Sequence, residues 1–275
     1  MLIEKAIDRL VGVLTPFRTL GDSESEIAPE QSIPPVLHQT GSGRRLDSRH
    51  LRGIEKFRAL NDDLSFVFFD DEAVVDYMQS RWSHHPIHRV FELSRFPQMK
   101  SDIFRYCLIF DRGGYYCDIN KAVFTQLSSL TRPTDAGLIT FELNECVVFP
   151  SDLAKHKTSF PQKLVAQWAF GFAPRHKLLR LAIDGVVSVA AQLGDAEVHN
   201  VREAVLMTTG PGLFTRAFRQ WLEAGDHAGV IQAGIDFHGK GVFRLPGSWH
   251  SPGQKAKYYA TQHDQPILKA GTNAE

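Results

Sequence analysis

Strand-like and helix-like patterns alternate in the first third of the chain, and this alternation restricts the fold more than any other feature. The run IPPVLHQT is typical of a first strand and ends in His38 and Gln39. A helical pattern from Asp47 to Leu60, the β-branched and aromatic run LSFVFFD, and a second helix that Asp70 or Asp71 can cap follow in order. This β-α-β-α order predicts an α/β protein with a parallel sheet, whose ligands lie beyond the carboxyl ends of the strands.

The composition fits an ordinary globular protein. A chain of 275 residues can bury a substantial core, and its 31 basic and 31 acidic residues give a formal net charge of zero. Because no overall field would attract nucleic acid, we expect no nucleic-acid partner. The three cysteines, Cys107, Cys117 and Cys146, lack the spacing of metal ligands, and a reducing cytoplasm suits them.

The two ends of the chain differ in pattern from the rest. The pattern of residues 1–20 predicts an amphipathic helix. Its charged residues interrupt the apolar core that a signal peptide needs, and its apolar run is too short to span a membrane. Two alternatives are open: the helix packs on its own domain, or it makes a peripheral contact with the inner face of the cell membrane. Residues 21–32 predict a polar tether, residues 33–262 a single main domain, and residues 263–275 a C-terminal tail.

The centre of the chain combines a helix with a short strand. The segment from Pro97 to Arg112 has helical periodicity, and Gly113 and Gly114 follow it as a helix stop. Asp102 and Arg105 stand three residues apart on one flank of this helix, where they can pair with each other or address a ligand together.

The following letters, YYCDIN, predict a strand with two different faces. Tyr116, Asp118 and Asn120 point toward a cleft, whereas Tyr115, Cys117 and Ile119 point toward the core. The oxygens of the aspartate and the asparagine suit a hard divalent cation such as Mg²⁺ or Mn²⁺. From spacing alone a solvated strand end is the favoured explanation, because D-x-N is common in turns.

Several longer blocks, taken in order, resemble one enzyme family. IPPVLHQT, LSFVFFDDE, KSDIFRYCLIFDRGGYYCDIN, QWAFGFAPRHKLL, TTGPGLFTRAF and GSWH are similar to the DXD-containing sugar transferases of glycosyltransferase family 32. The resemblance runs from Ile33 to about His250, and its specific part is S-D-I-x-R-Y, G-G-x-Y and then D-x-D. The QW and TGPG blocks are most like the initiating α-1,6-mannosyltransferases and the bacterial capsular polysaccharide transferases.

This resemblance implies both a fold and an activity. The fold is a GT-A type nucleotide-sugar-binding fold, an open, mostly parallel twisted sheet flanked by helices. The activity is retaining transfer of a hexose from GDP-mannose or a UDP-sugar to a glycan or glycolipid acceptor, in the synthesis of polysaccharide or cell-surface glycan. A divalent cation, Mn²⁺ or Mg²⁺, is the expected cofactor.

The resemblance also assigns residues. The expected catalytic residues are Asp118, Arg105 and Asp102. The expected donor-binding residues are His38, Gln39, Asp102, Arg105, Tyr116, Asp118, Gln167, Ser248 and Trp249. The expected metal ligands are Asp118, Asn120, Ser248 and His250. Alternatives stay open at two places, because His38 and Gln39 could equally cap the next helix and a tryptophan in the loop LPGSWHSPGQK could be a packing plug rather than part of a lid.

Asn120 is the departure from the family pattern, which usually has aspartate at this position. Asparagine keeps a carbonyl ligand and loses one negative charge, so metal affinity should fall. Three interpretations follow: an enzyme with a weaker metal site, an enzyme that relies on Arg105 instead, or a chain that binds a nucleotide sugar without turnover and acts as a partner of another transferase.

Overall fold

A computed structural model describes residues 18–25, 31–145, 158–225, 229–248 and 262–270. The helices are α1 (Ser48–Leu60), α2 (Asp71–Trp82), α3 (Pro86–Leu93), α4 (Pro97–Arg112), α5 (Lys177–Leu193), α6 (Val201–Thr208) and α7 (Pro211–Glu223). The strands are β1 (Arg18–Thr19), β2 (Val36–Thr40), β3 (Arg45–Leu46), β4 (Ser65–Phe69), β5 (Gly114–Cys117), β6 (Ala122–Val123), β7 (Gly137–Glu145), β8 (Lys163–Val165), β9 (Ala169–Phe172), β10 (Glu197–Asn200), β11 (Val230–Ile235), β12 (Gly241–Val242) and β13 (His263–Pro266).

One seven-stranded sheet organises the described part of the chain. Its order is β11-β7-β9-β5-β2-β4, with β8 paired to β7. β4, β2 and β5 are parallel to one another, as are β7 and β11, while β9 and β8 are antiparallel to their neighbours. Because β9 separates β5 from β7 and opposes both, five of the seven strands run in one direction. The expected open, mostly parallel sheet is therefore confirmed.

Helices cover both faces of this sheet. Apolar residues of α2 to α7 form the core on one face, and apolar residues of α1 form the core on the other. Successive residues of β5 enter opposite cores, because Tyr116 joins the first and Tyr115 and Cys117 join the second. The predicted core positions of Tyr115 and Cys117 are confirmed, and the predicted cleft-facing position of Tyr116 is wrong, since that side chain is also buried.

Local sequence signals account for most element boundaries. The carboxylates of Asp47 and Asp70 accept hydrogen bonds from the first-turn amides of α1 and α2, as N-caps do. α4 begins at Pro97 and is followed by Gly113, as predicted. Asp70 rather than Asp71 caps α2, and α3 was not predicted.

The described residues near the ends of the chain pack on the main body. Residues 1–17, which hold most of the predicted amphipathic helix, lie outside the described residues. Arg18–Thr19 form a strand paired with β3, so the helix does not extend to residue 20. Ser23 exchanges two backbone hydrogen bonds with Phe66 of β4, an edge strand, so the described part of the predicted tether is bound to the sheet.

At the other end, β13 pairs with β10 and the side chains of Ile267 and Leu268 are buried. The first part of the predicted C-terminal tail is thus attached to the body. Among the helices in the described ranges, none is both long enough and apolar enough to cross a membrane.

Candidate functional site

Two glycines join α4 to β5 in a connection that accepts no other residue. Gly113 has φ 69° and Gly114 has φ 93°, values that side chains rarely permit. A Cβ atom on Gly113 would lie 2.6 Å from a ring carbon of Pro174, and one on Gly114 would lie 2.5 Å from the carbonyl oxygen of Val36. The short connection keeps the side chains of α4 close to the carboxyl end of β5.

The chain leaves the sheet immediately after Cys117. The amide of Asp118 donates a hydrogen bond of 2.8 Å to the carbonyl of Trp168, and the amide of Lys121 donates one of 3.0 Å to the carbonyl of Asp118. These bonds close a tight turn in which Asn120 is exposed. The prediction that Asp118 and Asn120 share one face of a strand is therefore wrong, because the backbone turns after Cys117.

Arg105 lies at the centre of a cluster of predicted site residues. Its Nη2 atom lies 3.1 Å from Oδ1 of Asp118 and 3.4 Å from Oδ1 of Asp102. Its Nη1 atom donates to the carbonyl of Gln167 at 3.0 Å, and the guanidinium lies 4.5 Å from the ring centre of Tyr116. The Tyr116 hydroxyl donates to Oδ1 of Asp118 at 3.1 Å. The structure thus brings Asp102, Arg105, Tyr116 and Asp118 into direct contact.

The four side chains pack against each other rather than around an open cleft. The side chains of Arg105 and Asp102 are 7% and 10% exposed, and that of Asp118 is 24% exposed. Two small cavities, of about 180 and 130 Å³, lie elsewhere, the first against α6 and the second between α5 and α7. Asp118 is therefore the most solvent-exposed charged residue of the cluster, and the buried guanidinium of Arg105 holds its carboxylate in place.

Burial and charge set the protonation of this cluster. Burial raises the pKa of Asp102 to about 7, although Arg105 and a 3.0 Å hydrogen bond from the Thr209 hydroxyl oppose the change. Burial alone would lower the pKa of Arg105, but Asp118, Tyr116, Asp102 and Tyr106 together outweigh burial and that pKa is raised. Arg105 thus stays charged beside Asp118, and Asp102 can carry a proton near neutral pH.

Gln167 is buried and links three parts of the chain. Its Nε2 atom donates to the Tyr106 hydroxyl at 2.6 Å and to the carbonyl of Thr209 at 3.0 Å, while its backbone carbonyl accepts from Arg105. These bonds tie α4 to the connection between α6 and α7. The predicted contact of Gln167 with a donor sugar stays a prediction.

His38 and Gln39 are buried at the carboxyl end of β2. Burial, and then the positive charge of Arg112, lower the pKa of His38 to about 4, so this imidazole is neutral. The Nδ1 atom of His38 and both amide atoms of Gln39 have no hydrogen-bond partner among the described residues. Asp47 caps α1, so the alternative that His38 or Gln39 caps this helix is wrong.

The described start of the predicted lid lies against the Asp118 turn. The amide of Leu245 donates to the carbonyl of Asn120 at 2.8 Å, and the amide of Ser248 donates to the carbonyl of Leu245 at 3.3 Å. Ser248 is half-buried there. Trp249 and His250 lie outside the described residues, so their predicted roles in a lid and at a metal stay predictions.

Lys121 is a charged neighbour of the cluster that the sequence analysis missed. Its Nζ atom lies 3.7 Å from Oδ2 of Asp118, 5.0 Å from the ring centre of Trp168 and 4.6 Å from that of Phe243. Trp168 and Phe243 come from distant parts of the sequence, and only the fold brings them to this lysine.

Two acidic residues near Lys121 were also missed. Glu142 lies near the end of β7, and Asp236 directly follows β11. Burial raises the pKa of Glu142 to about 7 despite the opposing charge of Lys121, and it raises that of Asp236 as well. The signal available in the sequence was an acidic residue at the end of each of two apolar runs, ITFE and AGID.

The oxygens around Asp118 suit a divalent cation that is shared with a ligand. Magnesium is commonly held by one or two carboxylates together with substrate phosphates and water, and Asp118 and Asn120 offer a carboxylate and an amide oxygen in one turn. In the described ranges, no group of three or more His, Cys, Asp and Glu side chains is placed to hold a metal ion. The donor set therefore fits a cation completed by a bound diphosphate rather than a preformed protein cage.

Comparison with known proteins points to one family. Residues 47–135 match the family described as glycosyltransferase sugar-binding region containing DXD motif. The chain is 22% identical over 204 residues to the initiation-specific alpha-1,6-mannosyltransferase of Schizosaccharomyces pombe, an alignment that covers 72% of this chain and 51% of that protein. It is 23% identical over 105 residues to the mannosyl phosphorylinositol ceramide synthase CSH1 of Saccharomyces cerevisiae, covering 38% and 27%.

A solved structure, the PaToxG glycosyltransferase, superposes with a TM-score of 0.49 at 16% identity, covering 82% of this chain and 78% of that one. The chain spans about half the length of the first of the curated relatives named above.

The matched region contains the charged cluster. It runs from the N-cap of α1 past β6 and includes Asp102, Arg105, Tyr116 and Asp118. Proteins with a DXD motif of this kind usually use a divalent cation. Residues 47–135 are therefore similar to the glycosyltransferases with a DXD-containing sugar-binding region, which agrees with the resemblance to family 32, and D-I-N stands where that resemblance places the motif.

Proposed function

We propose that this chain transfers a hexose from a nucleoside diphosphate sugar to a glycan or glycolipid acceptor. The observation that carries the proposal is the Asp118 carboxylate, which lies at the carboxyl end of β5 inside the matched region and is held by Arg105 and Tyr116. Both fungal relatives are named for mannosyl transfer, which supports GDP-mannose as the first donor to test and a UDP-sugar as the second.

The reaction separates charge at the bond between the sugar and the leaving diphosphate. Asp118 and Asn120 would hold Mn²⁺ or Mg²⁺, and the cation, when bound, would neutralise negative charge on the leaving phosphates. The protein fixes Asp118 through Arg105 and Tyr116, so this carboxylate needs little reorganisation during the reaction. The ammonium of Lys121 adds positive charge at the same edge.

Retention of the anomeric configuration, with attack on the face that the diphosphate leaves, is part of this proposal. A cytoplasmic location with residues 1–20 at the inner face of the membrane is a further part, and it rests on the sequence pattern alone.

A binding protein without turnover is the second candidate. Asn120 favours it, because one carboxylate fewer weakens the hold on a cation. The burial of Arg105 and Gln167 favours it as well, because both already have hydrogen-bond partners within the protein.

One assay separates the two candidates. The full chain is incubated with GDP-mannose and with UDP-glucose, each with Mn²⁺, Mg²⁺ or EDTA, and released nucleotide and free hexose are measured. Because no acceptor is added, water takes the hexose, and a transferase releases both nucleotide and free hexose when a metal ion is present. A binding protein shows saturable nucleotide binding and no release. Absence of both binding and release with every donor would contradict the proposed function.

A further inference from the structure

A second group of polar side chains lies beside Asp118 on the side away from β2. β5, β7 and β11 run in the same direction, so their carboxyl ends meet at one edge of the sheet. Asp118 follows β5, Glu142 lies near the end of β7, and Asp236 follows β11. The sheet order therefore places Glu142 and Asp236 beyond Asp118 when the edge is followed from β2.

The turn that carries Asp236 is built in an unusual conformation. Asp236, Phe237 and His238 have φ values of 49°, 52° and 56°, which form one left-handed turn. Such a conformation costs roughly 1–2 kcal/mol per residue with a side chain. The Thr140 hydroxyl holds the turn, because it accepts from the amide of Phe237 at 2.7 Å and donates to the carbonyl of Gly234 at 2.9 Å.

This turn leaves a carboxylate oxygen without a partner. Oδ1 of Asp236 is buried and has no hydrogen-bond partner among the described residues. The absence of a side chain on Gly241 makes room for it, since a Cβ atom there would collide with this oxygen. A buried acceptor without a partner is costly, so a ligand that donates a hydrogen bond to Asp236 would remove that cost.

A group of packed aromatic rings lies beside these carboxylates. The ring of Trp168 lies 5.6 Å from that of Phe237 and 5.4 Å from that of Phe243. Trp168 is only 3% exposed, yet its Nε1 donor has no hydrogen-bond partner in the described part of the chain. Phe243 packs on Trp168 and Lys121, and its side chain is 42% exposed, so part of the ring is open to a ligand.

The combination indicates a neutral, polyhydroxylated ligand. An exposed aromatic ring offers a surface for the C–H face of a sugar, and carboxylates accept hydrogen bonds from its hydroxyl groups. Asp118 is already paired with Arg105, and the remaining carboxyl groups, Glu142 and Asp236, outnumber the neighbouring ammonium of Lys121, so this side offers no excess positive charge to an anionic ligand.

We infer that Glu142, Asp236, Trp168 and Phe243 form a subsite for a neutral sugar acceptor. The inference rests on the proposed function, because the position of the donor phosphates at Asp118 makes this the acceptor side. Along this edge, β2 would then lie at the nucleotide, β5 at the diphosphate, and β7 and β11 at the acceptor.

Saturation-transfer NMR on the full chain tests the subsite with methyl α-D-mannoside and methyl α-D-glucoside as probes. The wild type should bind at least one of them and should not bind myo-inositol 1-phosphate. Glu142→Gln, Asp236→Asn and Phe243→Ala should each weaken binding about tenfold, which corresponds to about 1.4 kcal/mol. Asparagine tolerates the left-handed conformation, so Asp236→Asn keeps the turn.

Matched controls separate a ligand contact from a general loss of structure. Glu223→Gln changes an exposed acid on α7, and Phe124→Ala removes a ring that is 47% exposed and directly follows β6. Both controls should bind the methyl glycosides as the wild type does. Melting temperatures of all variants report on folding.

The outcomes distinguish this inference from the proposed function. If the wild type releases nucleotide from GDP-mannose but binds neither methyl glycoside, or if the three variants bind as the wild type does, the acceptor subsite is wrong and the transferase proposal stands. Preferred binding of the inositol phosphate would likewise overturn the neutral subsite. Mannoside binding that depends on Glu142, in a chain that binds neither GDP nor UDP, would support the sugar subsite and contradict the donor site.

Discussion

Arg105 determines the arrangement of charge at the site more than any other residue. Its guanidinium joins Asp118, Asp102 and the carbonyl of Gln167, and its side chain is almost entirely buried. A buried cation between two carboxylates is strongly coupled to both, because removing one partner leaves the others without compensation. We therefore regard Arg105 as the residue that positions Asp118.

Arg105→Lys should lower the free energy of unfolding by about 3 kcal/mol. A single ammonium group cannot replace the planar guanidinium in its several simultaneous contacts. Urea denaturation measures the effect, with Arg89→Lys in an exposed ion pair on α3 as the control. An unfolding free energy within about 0.5 kcal/mol of the wild-type value would contradict the structural role of Arg105.

His38 should make the protein less stable in acid. The folded protein holds the pKa of His38 at about 4, below its usual value of 6.5, so the unfolded chain takes up the proton first as the pH falls. The contribution of the neutral imidazole is complete above pH 6.5 and is lost as the pH falls toward 4. The difference between the two pKa values corresponds to a loss of at most about 3 kcal/mol in the free energy of unfolding.

The difference in unfolding free energy between the wild type and His38→Gln, measured from pH 7 to pH 4, isolates this effect. The wild type should lose more stability over that range than the variant does. His84→Gln, a change at an exposed histidine, serves as the control. Parallel profiles for the wild type and His38→Gln would show that His38 is not held neutral.

At the scale of elements, the unit formed by α4, two glycines and β5 places the site. Local signals predicted this unit correctly, because Pro97 and Gly113 mark the ends of α4 in the sequence itself. The prediction failed one residue past β5, where the amide of Asp118 bonds to Trp168 in a distant strand connection. For Glu142 and Asp236 the local pattern offered only an acidic residue at the end of an apolar run, and the pairing of β7 with β11 is what brings the two together.

Gly114→Ala should lower the free energy of unfolding by at least about 2 kcal/mol. The new Cβ atom would meet the carbonyl oxygen of Val36 at 2.5 Å, and the residue has φ 93°. Gly43→Ala is the matched control, because a Cβ atom there meets nothing within 4 Å. Equal stability of the two variants would contradict the close packing of this connection.

Asn120→Asp should raise the affinity for Mn²⁺ about tenfold in the presence of GDP, because a second carboxylate joins Asp118 in the same turn. Electron paramagnetic resonance of free Mn²⁺ measures the change, and Asn120→Ala should lower the affinity. If neither variant changes Mn²⁺ binding, the cation does not lie at this turn.

At the scale of the molecule, the strand order brings motifs that are far apart in the sequence to one edge of the sheet. The alternation of patterns in the first third of the chain was enough to predict parallel strands and helices on both faces. It could not predict that β9 enters between β5 and β7, since that order depends on contacts between strands far apart in the sequence. The zero net charge of the whole chain also conceals the concentration of charged side chains at this edge.

The most direct test of the central claim is the affinity for GDP in the presence of Mn²⁺, measured by calorimetry on the wild type and on Asp118→Asn. This substitution removes the carboxylate charge and keeps the size of the side chain. The account predicts that the variant stays folded by circular dichroism and binds GDP at least about tenfold more weakly, the effect of losing about 1.4 kcal/mol. Equal affinities of the folded wild type and the folded variant would contradict the placement of the donor diphosphate at Asp118.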